Sequence, residues 1–405
     1  MRRTERTLLK NKTMNFNFFP PQGDLKIRAT RVQQLLAEAG GDAALISTDV
    51  NIYYLTGILF SGCIFLPTEG EPLWFVQRPS GLAGEQVIYI RKPEEIPTIL
   101  KERNIPLPET LFLESDQITH NEFLRFEAVL HPVRTGNMTA LLRKARMIKT
   151  PWEIEQFRFS AKKHTEIFQA IPALFRKGMT EIAFQIEIEY LMRKNGSIGY
   201  FRTYGANMKA FMASLLSGKN ADAPSPLDFA LGGKGIHPIL PIGASDDVIT
   251  EGSAIMIDFA GNFTAYQSDM TRTYSLGKLP EIAYKAHQVS IDMHQQIMEE
   301  AKPGTACSDI YNRALDMADK SGFAANFMGF TQQAKFAGHG IGLEINEPPV
   351  LMARSNDLLQ PGMVIAFEPK FVLPCVGAVG IENSYLVTDS GIEKLTVGKE
   401  EIIRL

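Results

Sequence analysis

The sequence predicts two domains in series, an α/β domain followed by a strand-rich domain that carries acidic hairpins. The chain has 405 residues, more than one hydrophobic core ordinarily serves. Residues from about 24 to 134 alternate helical and extended patterns, the mark of a compact α/β unit. From residue 250 onward short apolar runs dominate, interrupted by helical stretches near 280–301 and 307–321.

Residues 1–23, MRRTERTLLKNKTMNFNFFPPQG, are basic and lack the apolar core of a secretory signal, so they read as a flexible N-terminal tail. Asp24 is placed to cap a helix through Ile27, Val32, Leu35 and Leu36 that ends at Gly40-Gly41. Ala43 to Ile46 reads as a buried strand. Cys63 to Leu66 and Leu73 to Val76 form a strand pair around the Glu69-Gly70-Glu71 turn. A helix follows over EEIPTILKERN, then a strand over TLFLES (110–115) and a helix over NEFLRFEAVL (121–130). Helical ALLRKARMIK runs into Thr150-Pro151, a break with Pro151 suited to the first turn of the next helix. The expected division is therefore 24–146 for the α/β domain and 147–405 for the second, which opens with that helix and another over 180–194.

Composition narrows the function. A formal net charge of −3 argues against a nucleic-acid-binding role, which ordinarily needs a basic face. Cys63, Cys307 and Cys375 lie far apart with no CxxC, so neither a zinc knuckle nor a disulfide framework is indicated. That fits a reducing, cytoplasmic compartment. No run approaches the ~18 apolar residues of a membrane span.

Five residues stand out: Asp258, Asp269, His339, Glu368 and Glu382. Each sits in or beside an apolar or glycine-rich run, where a solvated charge is out of place. Four converging carboxylates would repel each other and take up protons. Divalent metal removes that conflict, and a carboxylate-rich set suits two ions ~3.5–4 Å apart. In SAIMIDFAGNFTAYQSDMTRTYSL (253–276) a hairpin centred near Phe263-Thr264 sets Asp258 opposite Asp269, about 5 Å apart at Cβ. In MVIAFEPKFVLPCVGAVGIENSYLVT (363–388) a turn centred on Cys375 sets Glu368 facing Glu382. GHGIGLEINEPP (338–349) supplies His339 between glycines that permit close backbone approach. Taken singly, each Asp could end a strand or cap a turn, each Glu could guard a sheet edge, and His339 could be incidental.

Together these segments resemble the metallopeptidases that include Xaa-Pro aminopeptidases, prolidases and methionine aminopeptidases. RMIKTPWEIEQFR is similar to the entry of their catalytic domain and SGKNA (217–221) to a substrate-side loop. IDFAG, SDMTRT, GHGIGLE, PGMVIAFEP and GIENSYLVT resemble their metal motifs. The resemblance implies a creatinase-like N-terminal α/β domain and an α+β pita-bread catalytic domain with a curved antiparallel sheet. It implies a peptide substrate cut at Xaa-Pro bonds by a metal-bridging hydroxide, and a homodimer. Of the two divalent ions it implies, one would be held by Asp269, His339 and Glu368 and the other by Asp258, with Asp269 and Glu382 bridging. Glu368 would also carry a proton. Oxygen-rich ligation favours manganese, cobalt or iron over a thiolate-type zinc site.

Three positions depart from the family pattern. Asn346-Glu347 stands where the family reads His-Glu, Gly380 stands where an Arg is common, and Pro224-Ser225-Pro226 occupies the simplest position of a catalytic His. His237, after the DFALGGKGIHP loop, either fills that last role or is a turn histidine. These departures leave two alternatives in play, a non-peptidase binding protein or another C–N hydrolase on the same fold.

Overall fold

The computed structural model describes residues 16–205 and 213–405. Residues 1–15 of the expected tail lie outside the described residues. The next stretch is packed: Phe16 stacks on Phe159 with ring centroids 4.2 Å apart, and Gln156 donates to the Asn17 carbonyl.

Helix α1 (Gln22–Glu38) begins two residues before the expected cap. Asp24 does not cap it. It lies in the first turn and pairs at 2.5 Å with Arg28, one turn on and fully buried. Strand β1 (Ala43–Ile46) follows, then α2 (Asp49–Thr56), β2 (Ser61–Pro67), β3 (Leu73–Arg78) and β4 (Val87–Tyr89). Helix α3 (Ile96–Glu102), β5 (Thr110–Leu113), α4 (His120–Leu130) and β6 (Arg134–Asn137) complete a six-stranded sheet ordered β4-β3-β2-β1-β5-β6. The β2–β3 pairing matches the expected hairpin, with Cys63 opposite Phe75 and Phe65 opposite Leu73. Helix α2 went unread because its aromatic, β-branched sequence DVNIYYLT has strand propensity.

Helix α5 (Thr139–Met147) leads to α6 (Pro151–Ala170). Thr150 caps α6 and Glu153 reaches back to the cap, a capping box with proline at the start. Then come α7 (Glu181–Lys194), β7 (Ala213–Ser217), β8 (Ala254–Gly261) and β9 (Ser268–Ser275). Helices α8 (Glu281–Glu300) and α9 (Cys307–Lys320) precede β10 (Phe336–Gly340), β11 (Glu347–Met352), β12 (Val364–Phe367), β13 (Lys370–Leu373) and β14 (Gly377–Gly380). Strands β15 (Asn383–Val387), β16 (Ile392–Lys394) and β17 (Ile403–Arg404) end the chain. The sheets are β17-β9-β8-β7, β11-β10-β12-β15-β16 and the pair β13-β14.

Alternation along the strands decides what faces what. Ile255, Ile257 and Phe259 of β8 pack with Phe168 of α6 and Phe184, Ile188 and Met192 of α7. Met256, Asp258 and Ala260 therefore face the other way, and all three line a cavity. On the far flank, Ala286 and Met293 of α8 and Ile310 and Ala314 of α9 pack on Ile365, Phe367 and Phe371. Helix α5 ties the N-terminal sheet to this body. Arg146 is paired with Glu344 and Glu347, and Lys149 with Glu347, all buried.

Burial disfavours the charged form of three imidazoles. Burial pushes His164 down to about 3 and His287 to about 4, and holds His294 well below its ordinary value. The unfolded chain takes protons at these sites from ~6.5 downward, whereas the folded chain takes them only at lower pH. Their contribution to stability is thus full above that pH and is lost as pH falls. We expect a lower urea midpoint at about pH 5 than at about pH 7.5, and a shallower drop in a His164→Asn chain; an identical drop in both chains would contradict the assignment for His164.

Candidate metal centre

The five acidic and imidazole side chains come from β8, β9 and β10 and from the gap between the β12–β15 and β13–β14 ladders, where the four-stranded and five-stranded sheets meet. Asp269 N–H donates to Ser384 Oγ, whose hydroxyl returns a bond to the Asp269 carbonyl. Glu382 N–H donates to the Thr271 carbonyl. These bonds lock β9 beside β15.

Asp258 and Asp269 are not directly opposed, which corrects the expected register. Asp258 pairs with Thr271, and Asp269 with Ala260. The hairpin is centred between Thr264 and Ala265, one residue later than expected. That shift moves the partner by two positions and so keeps both carboxylates on one face, as diagonal neighbours. Buried bonds set the turn: Thr264 N–H donates to Ser160 Oγ, and Tyr266 N–H to Thr264 Oγ1. In the second hairpin the turn is centred on Cys375, which has φ 66°. The register is continuous from Phe367↔Asn383 to Lys370↔Gly380. It sets Glu368 level with Glu382, both in the gap between the two ladders.

His339 lies within β10, between Ala366 on one side and Val350 on the other. Its glycine neighbours are required by space. A Cβ at Gly338 would sit 2.2 Å from the Ala366 carbonyl oxygen, and one at Gly340 would sit 2.1 Å from that of Pro348. The glycines let strands close in tightly on the imidazole.

Donor atoms of Asp269, His339 and Glu382 lie within 4.8 Å of one another, as do those of Asp258, Glu368 and Glu382. His339 Nε2 is 3.9 Å from Asp269 Oδ2 and 3.6 Å from Glu368 Oε1. Its Nδ1 is 3.1 Å from the Gly340 carbonyl oxygen, which assigns the proton to Nδ1 and leaves the Nε2 lone pair facing carboxylates. Burial, reinforced by Asp258 and Glu368, pushes Asp269 well above the carboxylate range. Burial and Asp269 do the same to Glu382. Glu382 Oε1 is buried with no partner. A lone pair aimed at acids, two carboxyls driven toward protonation and an orphaned carboxylate oxygen together fit a divalent cation.

One residue of the centre was not foreseen. Lys370 is fully buried, and its Nζ lies 2.8 Å from Asp258 Oδ2, 2.6 Å from Glu368 Oε2 and 3.3 Å from Glu382 Oε2. Burial alone would discharge this amine, but the three carboxylates hold it well above the usual lysine value. The signal was available: Lys370 follows Glu368 by two residues, and extended backbone places such residues on one face.

The five donors line a cavity of about 570 Å³, with Phe201, Tyr204, Leu227, Phe229, Ile345 and Asn346 among its other walls. Asn346 is a bracket. Its side chain accepts from Tyr204 N–H at 2.7 Å and donates to the Tyr204 carbonyl at 2.9 Å. Arg143 of α5 lies 3.5 Å over the Tyr204 ring and donates to the Asn346 carbonyl. His237 is not brought to the cavity. It is exposed, and its Nδ1 accepts the Ile239 N–H in a local turn. The SGKNA segment is also set back from the cavity wall. The Glu181 carboxylate gathers it, accepting from Ser217 N–H and from the Asn220 side chain.

Fold and site together define a two-part metallohydrolase, with a creatinase-type α/β domain ahead of a pita-bread body. The chain belongs to metallopeptidase family M24, whose model matches residues 155–389; the Creatinase/Prolidase N-terminal domain matches residues 28–148. The Xaa-Pro dipeptidase of Pyrococcus furiosus is 26% identical over 385 residues, covering 94% of this chain and 100% of that one. An uncharacterized peptidase of Bacillus subtilis is also 26% identical, over 386 residues, with 94% and 100% covered. The Xaa-Pro dipeptidase structure from Bacillus anthracis superposes with a TM-score of 0.79 at 23% identity, covering 94% of this chain and 100% of that one. That likeness establishes the fold.

Replacing Asn346 with Ala removes both bonds to Tyr204. We expect a stability loss of about 1–2 kcal/mol by urea unfolding; a loss below ~0.5 kcal/mol would mean that Asn346 is not what holds this wall.

Proposed function

We propose that this chain hydrolyses Xaa-Pro peptide bonds at a divalent-metal centre, in the manner of aminopeptidase P or prolidase. The observation that carries the reading is the convergence of Asp258, Asp269, His339, Glu368 and Glu382 on the wall of one largely apolar cavity. Asp269, His339 and Glu382 would hold the ion, with Glu368 and Asp258 beside them. A bound divalent ion acidifies water and polarises a carbonyl. The chain's own groups do the rest. Phe201, Tyr204, Phe229 and Ile345 present an apolar surface to a substrate side chain or proline ring. Glu368, whose Oε1 faces His339, takes a proton from the attacking water and returns it to the leaving nitrogen. His237 has no part in this, so the turn-histidine alternative is adopted for it.

The same reading divides the chain at 146/147. Manganese is the favoured ion, since the donors are oxygens and one imidazole. Free thiols at Cys63, Cys307 and Cys375 support a reducing, cytoplasmic setting. Among the described residues no helix is long and apolar enough to cross a membrane. The family resemblance supports a homodimer.

The manganese-loaded protein is expected to cleave Xaa-Pro dipeptides or tripeptides and to lose that activity to a chelator. Inactivity across a matched panel, with metal bound, would count against the reading. Glu368→Gln should lower kcat by ~10²–10⁴ with the ion retained, whereas Asp269→Ala should lose the ion as well.

A further inference from the structure

Lys370 divides the centre into two unlike halves. On one side, Asp258 Oδ2, Glu368 Oε2 and Glu382 Oε2 all turn to a single ammonium at 2.8, 2.6 and 3.3 Å. These three residues are one of the two donor groups able to hold an ion. On the other side stand Asp269, His339 and Glu382, the second donor group, where among the described residues His339 is the one cation-forming side chain within ion-pairing distance of Asp269. Glu382 is common to both groups: its Oε2 faces the ammonium, while its Oε1 is buried without a partner.

We infer that the Lys370 ammonium takes the place of one of the two cations, so that this centre binds a single divalent ion, at Asp269, His339 and Glu382. An ion held by the oxygens that face Nζ, Asp258 Oδ2, Glu368 Oε2 and Glu382 Oε2, would need the volume that Nζ fills. It would also stand against the positive charge of the buried Lys370, and like charges repel strongly where most water is displaced. Lys370 is not mobile enough to step aside freely. It is the first residue of β13, paired with Gly380, and is fully buried. It is also absent from the cavity wall, so the ammonium reaches the carboxylates from the protein interior. The consequence is a fixed charge in place of an exchangeable Lewis acid. Lys370 orients Asp258, Glu368 and Glu382 by donating hydrogen bonds and offers no open coordination position. It acts as a positioning residue and a permanent counter-charge, and only the second group of ligands exchanges with solution.

The inference rests on reading the cavity as a metal centre, and the test separates the two. Full-length protein is stripped with a chelator and titrated with Mn²⁺, followed by calorimetry, elemental analysis and electron paramagnetic resonance. We expect one Mn²⁺ per chain and the spectrum of an isolated ion. Lys370→Ala should double the stoichiometry and give the spectrum of an exchange-coupled pair; Lys370→Arg, which keeps the charge, should stay at one. Two ions per chain in the unaltered protein would overturn the inference and leave the peptidase reading standing. One ion in both the unaltered and the folded Lys370→Ala protein would show that Lys370 is not what blocks the second position. No ion in the folded, unaltered protein would remove the metal centre and the peptidase reading with it. Should Lys370→Ala fail to fold, the stoichiometry and spectrum of the unaltered protein decide alone.

Discussion

Four carboxylates converging on one site, three of them buried, are an electrostatic conflict, and much of the C-terminal body is arranged to hold that conflict in place. Left without a counter-charge, such a cluster takes up protons, and Asp269 and Glu382 show that tendency. What keeps the groups together is backbone. Each carboxylate is carried on or beside a strand whose opposite face is anchored in a helix-covered core. Its neighbours in the ladder leave it no other direction. Thr271 Oγ1 donates to Glu382 Oε2 at 2.7 Å, and the Ser384 hydroxyl ties the Asp269 backbone to β15. The polar groups that steady the acids are thus themselves part of the sheet seam.

The α/β domain contributes to the same site indirectly. Arg146, with Lys149 just past the domain boundary, neutralises Glu344 and Glu347, and Glu347 lies beside Asn346 in the wall of the cavity. Removing one partner from such a buried network leaves an uncompensated charge, commonly worth ~3–5 kcal/mol. The domain is therefore bonded to the cavity wall, and Arg143 over Tyr204 extends that contact to the rim of the substrate space.

Much of this was legible in the sequence because burial and periodicity leave marks. An Asp after Ala-Ile-Met-Ile, or a Glu after Val-Ile-Ala-Phe, is costly unless it is used. The Cys375 turn could be placed because Pro374 and Gly377 punctuate it. The other hairpin was misplaced by one residue because its turn is fixed by Ser160, more than a hundred positions away. Asp24 had the chemistry of a helix cap, but Arg28 within the same helix drew it into an ion pair. Nothing local in the sequence says whether His237 points outward. Lys370 was overlooked for a different reason. A lysine after proline in a strand ordinarily marks a solvated edge, and only the two-residue spacing from Glu368 hints that it turns inward.

The alternation of β8 and β9 constrains how this protein can diverge. A single-residue insertion within Ala254–Gly261 would rotate Ile257 into the centre and drive Asp258 into the apolar layer under α6 and α7. Insertions or deletions in these strands are survivable only in even steps, and the turn at 262–267 is no freer, since Asn262, Thr264, Tyr266 and Gln267 are buried and hydrogen-bonded. Lineages derived from this chain should therefore record their length changes at the exposed Pro374-Cys375 tip, with strand lengths frozen by parity.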